Sequence, residues 1–150
     1  MDKPWVKENN RERERLRQLV ENISDNELKL VIYKEGWTIA VALAHLAFWD
    51  ERRRVMLKIW KQKGVAQSPY VEDIVNDALI PLTLAVPPRK AAELAVTTAK
   101  ALDKELEELS PEMITAIKAL KESNALNRGA HRKMHLDEIE ALLKAKRNRK

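Results

Sequence analysis

Cysteine is absent from the 150 residues, which excludes disulfide bonds, thiolate metal ligands and a cysteine nucleophile together. Glycine occurs three times and aromatic residues make up 5%. A fold of tight turns and aromatic-rich strands needs more of both, so an all-α class is expected. No apolar run approaches 18 residues, and the polar start over residues 1–10 has no signal-type apolar stretch. Neither a membrane span nor a membrane partner is expected, and a cytoplasmic location follows by default. A surplus of one charge is also missing over most of the chain. Lys and Arg number 28 against 23 Asp and Glu, but residues 144–150 hold five of the basic side chains. Without that stretch the balance is 23 against 23, so the net charge describes a basic C-terminal tail, and no nucleic-acid partner is expected for the body.

What is present is a hydrophobic fraction of 45%, enough for one core and one domain over residues 1–150. Leu16, Leu19, Val20 and Ile23 recur at helical spacing after alternating charges, which predicts a first helix over 5–22. Ser24 and Glu27 form a candidate capping box that would start a short helix ending before Gly36. A second long helix is predicted over 38–63, uninterrupted by Pro or Gly and stopped by Gly64. On its wheel Val41, Ala42, Leu46, Phe48, Trp49, Met56, Ile59 and Trp60 lie within about 100° of His45, whereas Asp50, Glu51, Arg54, Lys58 and Lys61 fall on the arc expected to face solvent.

Residues 64–88 form a long connection interrupted by four prolines, with a short helical pattern at Val71, Ile74, Val75, Ala78 and Leu79. Such a length lets the second and third helices lie parallel by a crossover. The third helix, over 88–109, is expected to bury Leu94, Ala95, Leu102, Leu106 and Leu109. Ser110-Pro111-Glu112 starts another short helix. Ser123, Asn124 and Asn127 offer caps for a last helix reaching about residue 146, with Leu136, Ile139, Leu142 and Leu143 on one side. Four long helices with short helical inserts make a four-helix bundle.

The three histidines of the chain, His45, His131 and His135, carry the chemistry. His131 and His135 are four apart, hence on one helical face, beside Leu142. An HxxxH spacing is a weak signal by itself, since ordinary core or surface histidines produce it too. With His45 facing inward from a different helix, three ring nitrogens converge between helices, a known way to build a metal site in a bundle.

The segments Gly36-Trp37-Thr38, Leu43-Ala44-His45-Leu46-Ala47-Phe48-Trp49-Asp50 and His131-Arg132-Lys133-Met134-His135-Leu136-Asp137-Glu138-Ile139 resemble the DinB-like superfamily over roughly residues 16–143. The shared pattern is a Trp-Ser/Thr entry to the second helix, a Leu-x-His-Leu core and a terminal His-x-x-x-His. Asn76 and Pro87-Pro88 in the linker are similar too. The resemblance implies an up-down-down-up four-helix bundle and a divalent metal, usually Zn or Ni, on the three histidines. It also implies metal-dependent hydrolases, or isomerases and transferases that use a low-molecular-weight thiol as co-substrate.

Three neutral imidazoles leave a divalent ion its full charge and an open position, where water is acidified to a pKa of about 7 or a small thiol is held as thiolate. The first gives hydrolysis of a small-molecule substrate and the second gives thiol transfer. All-nitrogen ligation suits Zn or Ni better than Mg or Ca. Glu138, three residues after His135 and on the same face, is a candidate catalytic base, fourth ligand or partner of a ligand histidine, or simply an exposed carboxylate. Arg52 is a candidate to anchor an anionic substrate group, with a snorkelling or ion-paired arginine at least as good a reading, and Asn124 and Arg128 are substrate-binding candidates that would rim the pocket. Trp37, Trp49, Trp60 and Phe48 are read as scaffold. The competing reading is a non-catalytic helical module whose basic tail contacts nucleic acid or an acidic partner, and a homodimer is compatible with so small a bundle.

Overall fold

The computed structural model describes residues 2–120 and 125–149. Among the described residues there are six α-helices and one isolated bridge, Val31 to Thr38, in place of any strand: α1 (Pro4–Asn22), α2 (Ile39–Lys63), α3 (Glu72–Leu84), α4 (Pro88–Glu107), α5 (Pro111–Ala119) and α6 (Gly129–Arg147). The all-α expectation holds. The cap read at Ser110 is in place, accepting from the Met113 amide at 3.2 Å, and Thr38, read as the start of the second long helix, caps it by accepting from the Val41 amide at 3.1 Å. Ser24 and Glu27 bond each other reciprocally at 3.0 and 3.1 Å. The element that box starts is only a 3-10 turn, Glu27–Lys29, because the chain then turns sharply at Gly36 (φ +85°) and feeds Thr38. Asn127 caps α6 through the Ala130 amide, while Ser123 and Asn124 lie outside the described residues.

Two apolar clusters fill the two ends. One joins Leu16, Leu19, Leu28, Leu43, Leu46, Leu136 and Ile139 to the alanine run Ala91, Ala92, Ala95 and Ala99 of α4. The other holds Trp5, Leu57, Trp60, Leu102, Leu106 and Ile114. The alanines let α4 lie close against α2, and Leu94 falls off that stripe and is exposed, contrary to expectation. A second correction concerns α2. Asp50 is 2% exposed, not solvent-facing, and Ile59 is 46% exposed, not buried. The buried arc is centred nearer Leu46 and Arg53, roughly 80° round from His45, because α4 covers that side while α3 and α6 cover the rest. Residues Ile39 to Ala47 are all buried, so this half of α2 has no polar face to show.

Between the clusters runs a buried polar belt. Arg132, 1% exposed, donates to both oxygens of Asp103 at 2.8 Å, to Asp50 at 3.2 Å and to the Asn9 carbonyl at 3.3 Å. Arg128 adds a bond to Asp50 at 3.0 Å and Arg13 one to Asp103 at 2.7 Å. α1, α2, α4 and α6 are thereby tied through one network. Asn9 Oδ1 also accepts from the Arg128 and Gly129 amides, both at 2.8 Å, so α1 caps the start of α6. That contact is close enough to require glycine: a Cβ on Gly129 would sit 2.9 Å from the Glu8 carbonyl oxygen. The basic tail is helical as far as Arg147, which pairs with Glu27 at 2.7 Å.

Candidate metal centre

The fold brings the three histidines together. His45 comes from the buried half of α2, and His131 and His135 from the first turns of α6 that Asn9 pins in place. One ligand-capable nitrogen from each lies within 4.8 Å of the others. The Nε2 atoms of His45 and His131 are 3.1 Å apart, close to the spacing of about 3.4 Å that two imidazoles take on one tetrahedral ion. His45 and His135 are each 5% exposed, and His45 Nδ1 and His135 Nε2 have no hydrogen-bond partner. Buried polar atoms without partners are rare in native structures; His135 Nε2, whose ring is held at Nδ1 by Tyr33, is left for a ligand, whereas the orphan on His45 is the nitrogen opposite the one that meets His131. The donor set fits a borderline divalent cation.

The electrostatics keep the rings in the neutral form that ligation needs. Burial lowers the His45 pKa to about 3, helped by His135 and Arg128. Burial and the Arg128 guanidinium, 3.4 Å from its Nδ1, lower that of His131 to about 2. His135 is lowered by burial too, against the pull of Glu138. Its Nδ1 lies 2.7 Å from the Tyr33 hydroxyl, and Tyr33, whose own pKa is raised by burial and by its hydrogen bond to Glu138, links that carboxylate to the ring. A histidine held through one nitrogen presents the other in a fixed direction.

The rings open onto a cavity of about 510 Å³ that Tyr33, Trp37, Met134 and Glu138 also line. A smaller pocket of about 150 Å³ shares His131 and is lined by Arg52, Arg53, Arg128, Trp49 and Tyr70. Glu138 thus lies beside the triad on the cavity wall, and Arg52 and Arg128 lie in the neighbouring pocket; Asn124 is outside the described residues. Arg52 is not buried in an apolar arc: its guanidinium lies 4.3 Å from the Tyr70 ring centre and donates to the Ser68 carbonyl at 2.9 Å. Trp60 packs in the core, as read. Trp37, by contrast, is a cavity wall with its ring 4.9 Å from that of His45, and Trp49 donates to Asn76 at 3.0 Å. Tyr33 and Arg53 escaped the sequence reading. Tyr33 sits in a turn with no periodicity to mark it, whereas Arg53, on the wheel direction of Trp60, was legible in principle.

Helices throughout, with three histidines whose ligand atoms lie within 4.8 Å of one another, define an α-helical protein with a group able to hold a metal ion. The chain belongs to the DinB superfamily, whose sequence pattern matches residues 8–143. No curated protein and no solved structure matches it. No helix among the described residues is long and apolar enough to cross a membrane.

Proposed function

We propose that the protein is a metal-dependent enzyme, a hydrolase or a thiol-dependent transferase, with His45, His131 and His135 holding Zn or Ni. The observation that carries this reading is the three ligand atoms within 4.8 Å of one another, with His135 Nε2 buried and unpartnered among them. When bound, such an ion supplies Lewis acidity, which favours the ionised form of a coordinated water or thiol. The chain's own residues do the rest. Tyr33, steadied by Glu138, orients His135; the Trp37 ring limits water at His45; Arg52 and Arg128 hold the anionic end of a small-molecule substrate. Glu138 is accordingly a positioning residue in this reading.

The same reading takes the four long helices as one up-down-down-up bundle and one domain. Its support is the order of the cross-ties. Asn9 meets Arg128, Arg15 meets Asp137, and Glu27 meets Arg147, ascending together. Lys3 meets Leu109, Arg13 meets Asp103, and Arg89 meets Asp25, running oppositely. A cytoplasmic site of action goes with it. The test is metal analysis of untagged protein. Stoichiometric Zn or Ni in the wild type, lost in His45→Ala, is the expected result, followed by metal-dependent turnover of an ester, an amide or a thiol electrophile. Equal trace metal in both proteins overturns it.

A further inference from the structure

Of the walls around the larger cavity, α3 is the one the fold holds least. Its Glu72, Asp73, Asn76 and Asp77 line that cavity beside the buried rings of His45 and His135, yet only Thr83 of its 13 residues is buried. Its apolar side chains do not anchor it: Ile74, Leu82 and Leu84 are more than half exposed, and α3 packs chiefly against α2. One side-chain hydrogen bond joins it to any other described residue, from Trp49 Nε1 to Asn76 Oδ1 at 3.0 Å, and its three acids have no ion pair among the described residues. Elements with so little buried surface are the ones that open first. The two ends of α3 are held differently from its middle. Before it, the connector is pinned at Ser68, whose carbonyl accepts from Arg52 at 2.9 Å, and residues 69–71 that follow are exposed and outside any helix. Three extended residues span about 10 Å, which sets the limit of any movement. Near its end, Pro81 lies inside the helix, offers no amide to the Asp77 carbonyl and crowds it. The hydroxyl of the buried Thr83 donates to the Leu79 and Ile80 carbonyls at 2.8 and 3.2 Å, a back-bond that bends helices.

We infer that α3 is a hinged strap over the histidine cluster: residues 72–80 bend away from α2 about Pro81, the bond between Trp49 and Asn76 is the latch that holds them shut, and ions and small molecules reach the rings when it is released. What is admitted rests on the proposed metal site; the movement does not. The latch stands next to that site, because the Trp49 ring lies against that of His45, with centres 6.3 Å apart. A strap of this kind reconciles two needs of an enclosed site, entry for what must bind and exclusion of water afterwards, through a change confined to a few backbone angles.

The chain has no cysteine, so a pair of thiols can be introduced where labels are wanted. Asp73→Cys on α3 and Met134→Cys on α6, both exposed and both lining the cavity, carry spin labels in the full-length protein, and pulsed electron resonance gives the distribution of distances between them. Two populations several ångströms apart are expected. Asn76→Ala is expected to raise the ratio of the longer to the shorter about fivefold, the weight of one hydrogen bond, and adding Pro81→Ala, which restores an amide at the hinge, to reverse that shift. A single distance that Asn76→Ala leaves in place overturns the inference, and so does a shift that Pro81→Ala leaves undiminished. Protein without the labels gives the second readout. In Asn76→Ala, uptake of Zn and its removal by a chelator should both quicken about fivefold with the dissociation constant unchanged; an altered dissociation constant with unchanged rates overturns the gate. A protein that binds no metal yet shows both distances and their response sinks the metal site and leaves the strap standing, while stoichiometric metal with one fixed distance does the reverse.

Discussion

His131 and Arg132 are consecutive on α6 and face two buried polar regions of opposite character. Arg132 enters a network whose charges are answered within the chain, with Asp103 gripped through both oxygens, Asp50 shared with Arg128, and Asn9 closing the gap. His131 enters a cluster of neutral rings in which two nitrogens have nothing to bond. Buried charge satisfied by the fold itself holds helices together; buried polarity left open is arranged for something that arrives later. The lesson is that burial and polarity alone do not mark a functional site: Arg132 Nε also lacks a hydrogen-bond partner, and what sets the histidines apart is that three groups of ligand type converge with no opposite charge among them.

The sharpest way to break the comparison is to unpair the closed network. Arg132→Met leaves Asp50 and Asp103 buried without their common counter-charge, and urea denaturation should show a loss of about 3–5 kcal/mol. His45→Gln in the metal-free protein should lose less, about 1 kcal/mol by the same measurement, since only the single bond between neutral rings at His131 is removed. Comparable losses would erase the distinction.

Acid probes the open region next. Unfolded histidines take up a proton near pH 6.5, while folded His45 and His131 resist it down to about 3 and about 2. The unfolded state therefore binds more protons as pH falls below 6.5, and stability that is present at pH 7 is progressively lost. For these two groups the metal-free protein should lose about 2–3 kcal/mol between pH 7 and 5.5. Saturating Zn should oppose the loss near neutrality, adding about 2.7 kcal/mol at a hundredfold excess over its dissociation constant. A flat stability profile over that interval would mean that the rings are not shielded.

Gly129→Ala tests the seam between α1 and α6, where the added methyl meets the Glu8 carbonyl oxygen at 2.9 Å. A loss of about 1–3 kcal/mol is expected by thermal or chemical unfolding. The mildest variant is Tyr33→Phe, which removes the bond at His135 Nδ1 and leaves the network alone. Metal affinity should fall about tenfold in a competition titration with a chelator, with little change in the stability of the metal-free protein.

Much of this was legible in the residues. The caps at Ser24, Thr38 and Ser110 were readable because capping is a local hydrogen bond between near neighbours, and the histidines because helical spacing and scarcity point the same way. What periodicity cannot show is how many neighbours a helix will have. Asp50 looked exposed because the wheel assumes one wet side, and the first half of α2 has none. Arg132 passed unnoticed between its two histidine neighbours, since a charged residue on a basic helix carries no sign of a partner 29 positions upstream at Asp103. The two cavities that meet at His131 are built from α2, α3, α6 and the turn before α2 together, and no single stretch of sequence displays them.

The Asn9 side chain that caps α6 has a temporal consequence. Both α6 histidines ride on a helix whose first turn is anchored by a residue about 120 positions earlier, so the binding centre cannot take shape until two segments that far apart in the chain have met. Until that moment there is no place for an ion to lodge, and capture of a metal would report that the first and last helices described here have docked.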